Sequence, residues 1–96
     1  MNELIREIKE NLEEMKKYQA LSDEAEAKLE EISDAGEIDT RLERLADSYY
    51  RDEMLNFHSA AYKIESLTHG RITSKTARAM IMKYGDEILN ICKLAA

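Results

Sequence analysis

The chain has 96 residues, of which 44% are hydrophobic and 35% are charged, and its formal net charge is −6. That length corresponds to one domain, and the hydrophobic content is too high for a disordered chain. With no proline and only three glycines, the sequence lacks the turn residues that a β-sandwich or β-barrel needs, so an all-α domain is predicted.

Several features bear on the cellular compartment. No apolar run approaches the roughly 20 residues of a membrane span, and the charged start of the sequence does not resemble a signal peptide. The single cysteine, Cys92, has no second cysteine with which to form an internal disulfide. We therefore expect a cytoplasmic protein without membrane contact, and we interpret Cys92 as a buried, unreactive thiol.

The first predicted helix spans about residues 2–34. The apolar positions of residues 4–15 form one helical stripe, but from Tyr18 onwards the apolar positions lie roughly a quarter turn away. A helix break near Ser22-Asp23 would explain this rotation, and so would one unbroken helix with two different neighbours. Because no glycine or proline interrupts the segment, we favour the unbroken helix.

The second predicted helix spans about residues 40–69. Thr40 and Glu43 fit a capping box at its start, and Gly70 fits the left-handed position that follows a helix end. Apolar and aromatic residues occupy two sides of this helix, which indicates more than one neighbour.

The third predicted helix spans about residues 74–95, with Thr73 or Ser74 as its N-terminal cap. Its apolar stripe keeps phase across Gly85, so we interpret the segment as one helix with a costly interior glycine. Short connections favour antiparallel neighbours. The predicted fold is an elongated up-down-up bundle of three long helices, or four if the first helix breaks.

A rod of this kind has a thin core, and such chains gain burial by pairing with a copy or a partner. We therefore expect a homodimer; the alternative is that another segment of the same chain covers the second apolar side. The candidate interface residues are Met54, Leu55, His58, Tyr62, Glu65 and His69.

Part of this set could bind a metal, since His58, Glu65 and His69 share a helical face. The spacing matches neither His-Glu-x-x-His nor Glu-x-x-His, so we interpret these residues as interface or surface groups. We predict no metal and no cofactor.

Glu53 is a separate case, because it falls inside the apolar stripe of the second helix. Rotation towards solvent or an ion pair is the plain explanation, and a functional role would require a raised pKa and a cleft.

Charge is distributed unevenly along the chain, with a net −9 over residues 1–54 and +3 over residues 55–96. The basic residues concentrate near the turn before the third helix, whose N–H groups and hydroxyls would favour an anion. The candidate anion or nucleic-acid ligands are Arg71, Thr73, Ser74, Lys75 and Arg78. The candidate acidic face of the first helix comprises Glu10, Glu13, Glu14, Glu24 and Glu31.

The sequence carries no Gly-rich phosphate loop, no Ser/His/Asp grouping of credible spacing and no cysteine cluster. We therefore predict a non-enzymatic protein–protein interaction or regulatory module that docks on another macromolecule. One alternative is nucleic-acid binding through the basic turn between Lys63 and Lys83. A further alternative is a small inhibitor whose acidic N-terminal helix occupies a basic nucleic-acid-binding groove on a target protein.

Overall fold

A computed structural model describes residues 2–95, in which four helices are joined by three short connections. The helices are α1 (Asn2–Asp34), α2 (Thr40–Leu67), α3 (Ser74–Tyr84) and α4 (Ile88–Ala95), and a 3₁₀ turn at Gly85–Glu87 joins the last two. No strand occurs within the described residues, which confirms the all-α prediction. The radius of gyration is 16.3 Å and the extents are 53 × 21 × 17 Å. A compact domain of this length has a radius of about 13 Å, so the elongated shape is also confirmed.

Helix α1 is unbroken, as the absence of glycine and proline indicated. Its apolar stripe rotates because its neighbours change along its length. Ile8 and Leu12 belong to a core that α2, α3 and α4 share. Further along, Ser22 and Ala25 are buried where α2 is the packing partner, and their small side chains allow the two helices to approach closely. One continuous helix therefore meets two environments.

The main core lies at one end of the rod. There, Ile64 and Leu67 of α2 pack with Ile81 of α3 and Ile88 of α4. The rest of the α1–α2 hairpin, residues 18–53, we call the arm. Within the arm the buried side chains are small, namely Ser22, Ala25 and Ala46. The arm thus has a thin seam in place of a filled core.

Both ends of helix α2 are capped differently from the prediction. Asp39, rather than Thr40, is its N-cap, and the Asp39 side chain accepts a hydrogen bond of 3.0 Å from the Leu42 N–H. At the other end, His69 takes the left-handed position at φ 52°, and the Gly70 N–H donates to the Glu65 carbonyl at 2.9 Å. This is a Schellman closure in which Gly70 stands one residue later than predicted.

Residues 74–95 are helical as predicted, but the interpretation that they form one continuous helix is wrong. Thr73 caps α3 as predicted, but α3 ends at Tyr84 and Gly85 adopts φ 58° and ψ −130°. A residue with a Cβ atom does not adopt those angles readily, so it is glycine that allows the chain to change direction here. Helix α4 then packs against α1 and α3, where Ile88 and Cys92 are fully buried. Burial raises the pKa of the Cys92 thiol.

Candidate functional site

A row of apolar and aromatic side chains runs along the solvent side of α2. We call Arg51, Leu55, His58 and Tyr62 the outer stripe; their spacings of four, three and four place them on one helical face. Leu55 is 61% exposed and Tyr62 is 59% exposed. Two shallow depressions flank His58, one towards Arg51 and one towards Tyr62. The stripe is accordingly a solvent-exposed helix face with two shallow depressions.

The structure divides the predicted interface set into two groups. Met54, Leu55, His58 and Tyr62 lie together along the outer stripe and its edge. Glu65 does not join them, because its carboxylate accepts a hydrogen bond of 2.8 Å from the Ser74 N–H. His69 also stands apart, since it lies beyond the end of α2 in the turn, as described above.

The same hydrogen bond bears on the predicted anion site at the start of α3. The Glu65 carboxylate occupies the Ser74 N–H, and the Thr73 hydroxyl accepts from the Thr76 N–H at 3.3 Å. The chain therefore supplies its own anion and its own cap to this helix N-terminus. Around this position Arg71 and Lys75 are exposed, and Arg78 is half-buried.

The predicted acidic face of α1 is largely paired within its own helix. Glu10 lies 3.9 Å from Arg6, Glu14 lies 3.9 Å from Lys17, and Glu24 lies 3.3 Å from Lys28. Such exposed pairs at spacings of three and four support the helix by a few tenths of a kcal/mol, about 0.3–0.5. The two remaining members, Glu13 and Glu31, are exposed.

Glu53 meets both conditions that a functional role would require. It lines a groove of about 490 Å³ between the α1–α2 hairpin and the end of α3. Burial, and then the nearby carboxylates Asp23 and Glu26, raise the pKa of Glu53. Sequence reasoning singled out Glu53 but missed Asp23 and Glu26. The sequence could have indicated them, because steps of three and four residues place Asp23 and Glu26 on the same helical face as Lys16 and Gln19.

A polar cluster between α1 and α2 was also missed. The Asn11 side-chain NH₂ donates to Asn56 Oδ1 at 2.8 Å, and the Lys63 ammonium donates to Asn11 Oδ1 at 2.7 Å. The Ser59 hydroxyl lies 3.4 Å from the same Asn11 oxygen. An asparagine on the apolar side of α1, opposite polar residues on α2, was the available clue. This cluster sets the register of the two long helices, because a shift along either one would break it.

The described residues contain neither a metal-binding cluster nor a membrane-spanning helix. Among residues 2–95, no three histidine, cysteine, aspartate or glutamate side chains are arranged to hold a metal ion. Over that range, no helix combines the length and the apolar content that crossing a bilayer requires. In comparisons with known proteins, no family model, no curated protein and no solved structure matches this chain.

Proposed function

We propose that the chain is a non-enzymatic protein-binding module that pairs with a second copy of itself through the outer stripe of α2. The observation that carries this proposal is the exposure of Leu55 and Tyr62 on one helix face. Isolated exposed apolar residues are ordinary on any protein surface. Here Leu55 and Tyr62 share one helix face with His58 between them, and apolar and aromatic groups clustered among polar residues are typical of a binding surface.

The outer stripe can pair with the outer stripe of a second copy when the two α2 helices lie antiparallel. A twofold axis midway between Leu55 and His58 pairs Leu55 of each copy with His58 of the other. The same axis places Arg51 of each copy over the Tyr62 ring of the other. A guanidinium over a phenol ring contributes about 0.5–2 kcal/mol, and the symmetry supplies that contact twice. In this arrangement the stripe meets its own copy with an apolar centre and a cation–aromatic contact at each end.

Size-exclusion chromatography with light scattering tests the pairing. Between about 10 and 200 μM, the wild type is expected to show twice the chain mass of 11.1 kDa. Leu55→Lys should be monomeric, because it places two ammonium groups at the centre of the interface. Leu94 is 90% exposed and lies on α4, outside the stripe, so Leu94→Lys is the matched control and should remain dimeric. A wild type that is monomeric throughout this range would overturn the pairing.

The two alternative functions receive less support. For nucleic-acid binding, the N-terminus of α3 is already satisfied by Glu65 and Thr73. For an acidic inhibitor, three of the five predicted carboxylates are paired within α1. The proposal also includes a cytoplasmic location. Cys92, the single cysteine, is a buried free thiol, and free thiols persist in reducing compartments such as the cytoplasm. Retention of labelled duplex DNA at low salt would reinstate the first alternative.

A further inference from the structure

An open groove runs along the arm beyond the end of α3. At the core end of the molecule, α3 packs along α2 as a third helix, and Ile81 of α3 shares a core with Ile8 and Leu12 of α1. The C-terminal half of α3 reaches the groove through Ile81 and Met82, and the chain turns away at Gly85. From there to the α1–α2 turn, the same side of the hairpin is uncovered. The position that a longer third helix would occupy is therefore empty.

The end of the groove next to α3 is apolar. Met15, Met54 and Phe57 are half-buried there, and Met82 is 81% exposed at the rim. Methionine side chains adapt to different partner shapes, and surfaces that bind amphipathic helices use them repeatedly. This end provides a docking floor for apolar side chains of a partner.

A second cavity of about 600 Å³ lies beside the α1–α2 turn, farther along the arm. Its lining includes the apolar residues Leu29, Ile32 and Ile38, and Ile38 is 85% exposed. We call the carboxylates of the same lining the acidic wall; they are Asp23, Glu26, Glu30, Glu37, Asp39 and Glu43.

The acidic wall and the apolar end belong to one surface. One face of α1 carries residues spaced by three and four, namely Lys16, Gln19, Asp23, Glu26 and Glu30. Lys16 forms an ion pair with Asp86. The raised pKa of Glu53 is consistent with this placement, since its causes include the charges of Asp23 and Glu26. The groove thus combines an apolar floor with concentrated negative charge.

We propose that this groove binds a basic amphipathic helix of a partner protein, which lies along the arm as a third helix continuing the line of α3. Apolar side chains of the partner would pack on Met54, Phe57 and Ile38, and its lysine or arginine side chains would face Asp23 and Glu26. Residues 16–33 of α1 correspond to about 27 Å, which matches a partner helix of about 18 residues. The proposal extends the protein-binding role to a second surface, which adjoins the outer stripe at Met54, and it does not depend on self-association through that stripe.

A synthetic peptide provides the probe. It is a fluorescein-labelled helix of about 18 residues with leucine on one face and lysine on the other, and a second peptide carries glutamate in place of lysine. Binding is measured by fluorescence anisotropy at about 150 mM salt. The lysine peptide is expected to bind and the glutamate peptide is not, because the groove attracts cations and repels anions.

Charge-matched variants locate the binding site. Asp23→Lys combined with Glu26→Lys reverses two groove carboxylates and is expected to weaken binding about tenfold or more. Glu13→Lys combined with Glu31→Lys makes the same change of net charge on exposed positions elsewhere on α1 and is expected to leave affinity within about twofold. Met82→Ser removes an apolar contact without changing charge and should weaken binding about threefold or more.

Three results would overturn the proposal: no binding of the lysine peptide at about 100 μM protein, equal weakening by the two charge-reversal pairs, or a monomeric Asp23→Lys/Glu26→Lys protein. The last, seen by light scattering, would assign the groove to a second copy of the chain. Leu55→Lys keeps the two proposals separate, because a monomeric Leu55→Lys protein should still bind the peptide with wild-type affinity.

Discussion

Replacement of Gly85 by alanine distinguishes a chain that bends between α3 and α4 from one that continues as a straight helix. An added Cβ at this position would have no heavy atom within 4 Å, so its effect comes from the backbone alone. The observed φ of 58° and ψ of −130° are costly for alanine, by about 1–3 kcal/mol. In a straight helix the same substitution would instead stabilise the protein by about 1 kcal/mol. The bent and the straight connection therefore predict opposite signs for the change in stability caused by Gly85→Ala.

Thermal unfolding followed by far-ultraviolet circular dichroism measures that sign. A loss of about 2 kcal/mol lowers the melting temperature of a domain of this size by about 8–16 °C. Gly36→Ala is the matched control, since Gly36 also has a positive φ, 79°, and open space around it. It should lose about 1–2 kcal/mol without a change in helix packing. A higher melting temperature for Gly85→Ala, together with a gain in helix signal, would show that α3 and α4 form one helix.

Three further predictions concern other residues. The raised pKa of Glu53 means that the folded state binds more protons than the unfolded state, so this carboxylate lowers stability as the pH rises above about 4–5. Glu53→Gln should therefore melt above the wild type at pH near 7 but not near 4; an equal difference at both would contradict this. Asn11→Ala should lose about 1–3 kcal/mol in urea unfolding, whereas the exposed Asn90→Ala should lose nothing measurable. His69→Gly should gain about 0.5–1 kcal/mol in thermal unfolding because it relieves a left-handed backbone; a loss would indicate that the imidazole makes a stabilising contact.

The helices themselves were predictable because their determinants are local. Apolar spacing, the absence of helix breakers and the cap at Thr73 all act over one or two turns. The errors at the ends of α2 are shifts of one or two residues. Asp39 and Thr40 are adjacent residues that both suit an N-cap, and His69 took the left-handed position that sequence reasoning assigned to Gly70. Only the final packing selects between such neighbours.

Of the two candidate surfaces, the outer stripe could be predicted from local sequence and the groove could not. Sequence reasoning found Leu55 and Tyr62 because one helix carries both. It did not find the groove, because the carboxylates of α1 approach Glu53 of α2 only when the two helices lie in their observed register. That register depends on Asn11 and on the partners it meets across the hairpin. Such contacts join residues more than 40 positions apart in the chain, and no local pattern encodes them.

The order of residues by itself determined where this chain is helical, that α1 is unbroken and which side of α2 is apolar, because those properties follow from the period of the helix and from backbone freedom. Only the tertiary structure decided the bend at Gly85. The apolar phase is the same on both sides of this glycine, so periodicity cannot separate a straight helix from a bent one. The bend is favoured because it brings Ile88 and Cys92 into the core beside Ile8 and Leu12, and that gain in burial exists only once the distant helices are in place.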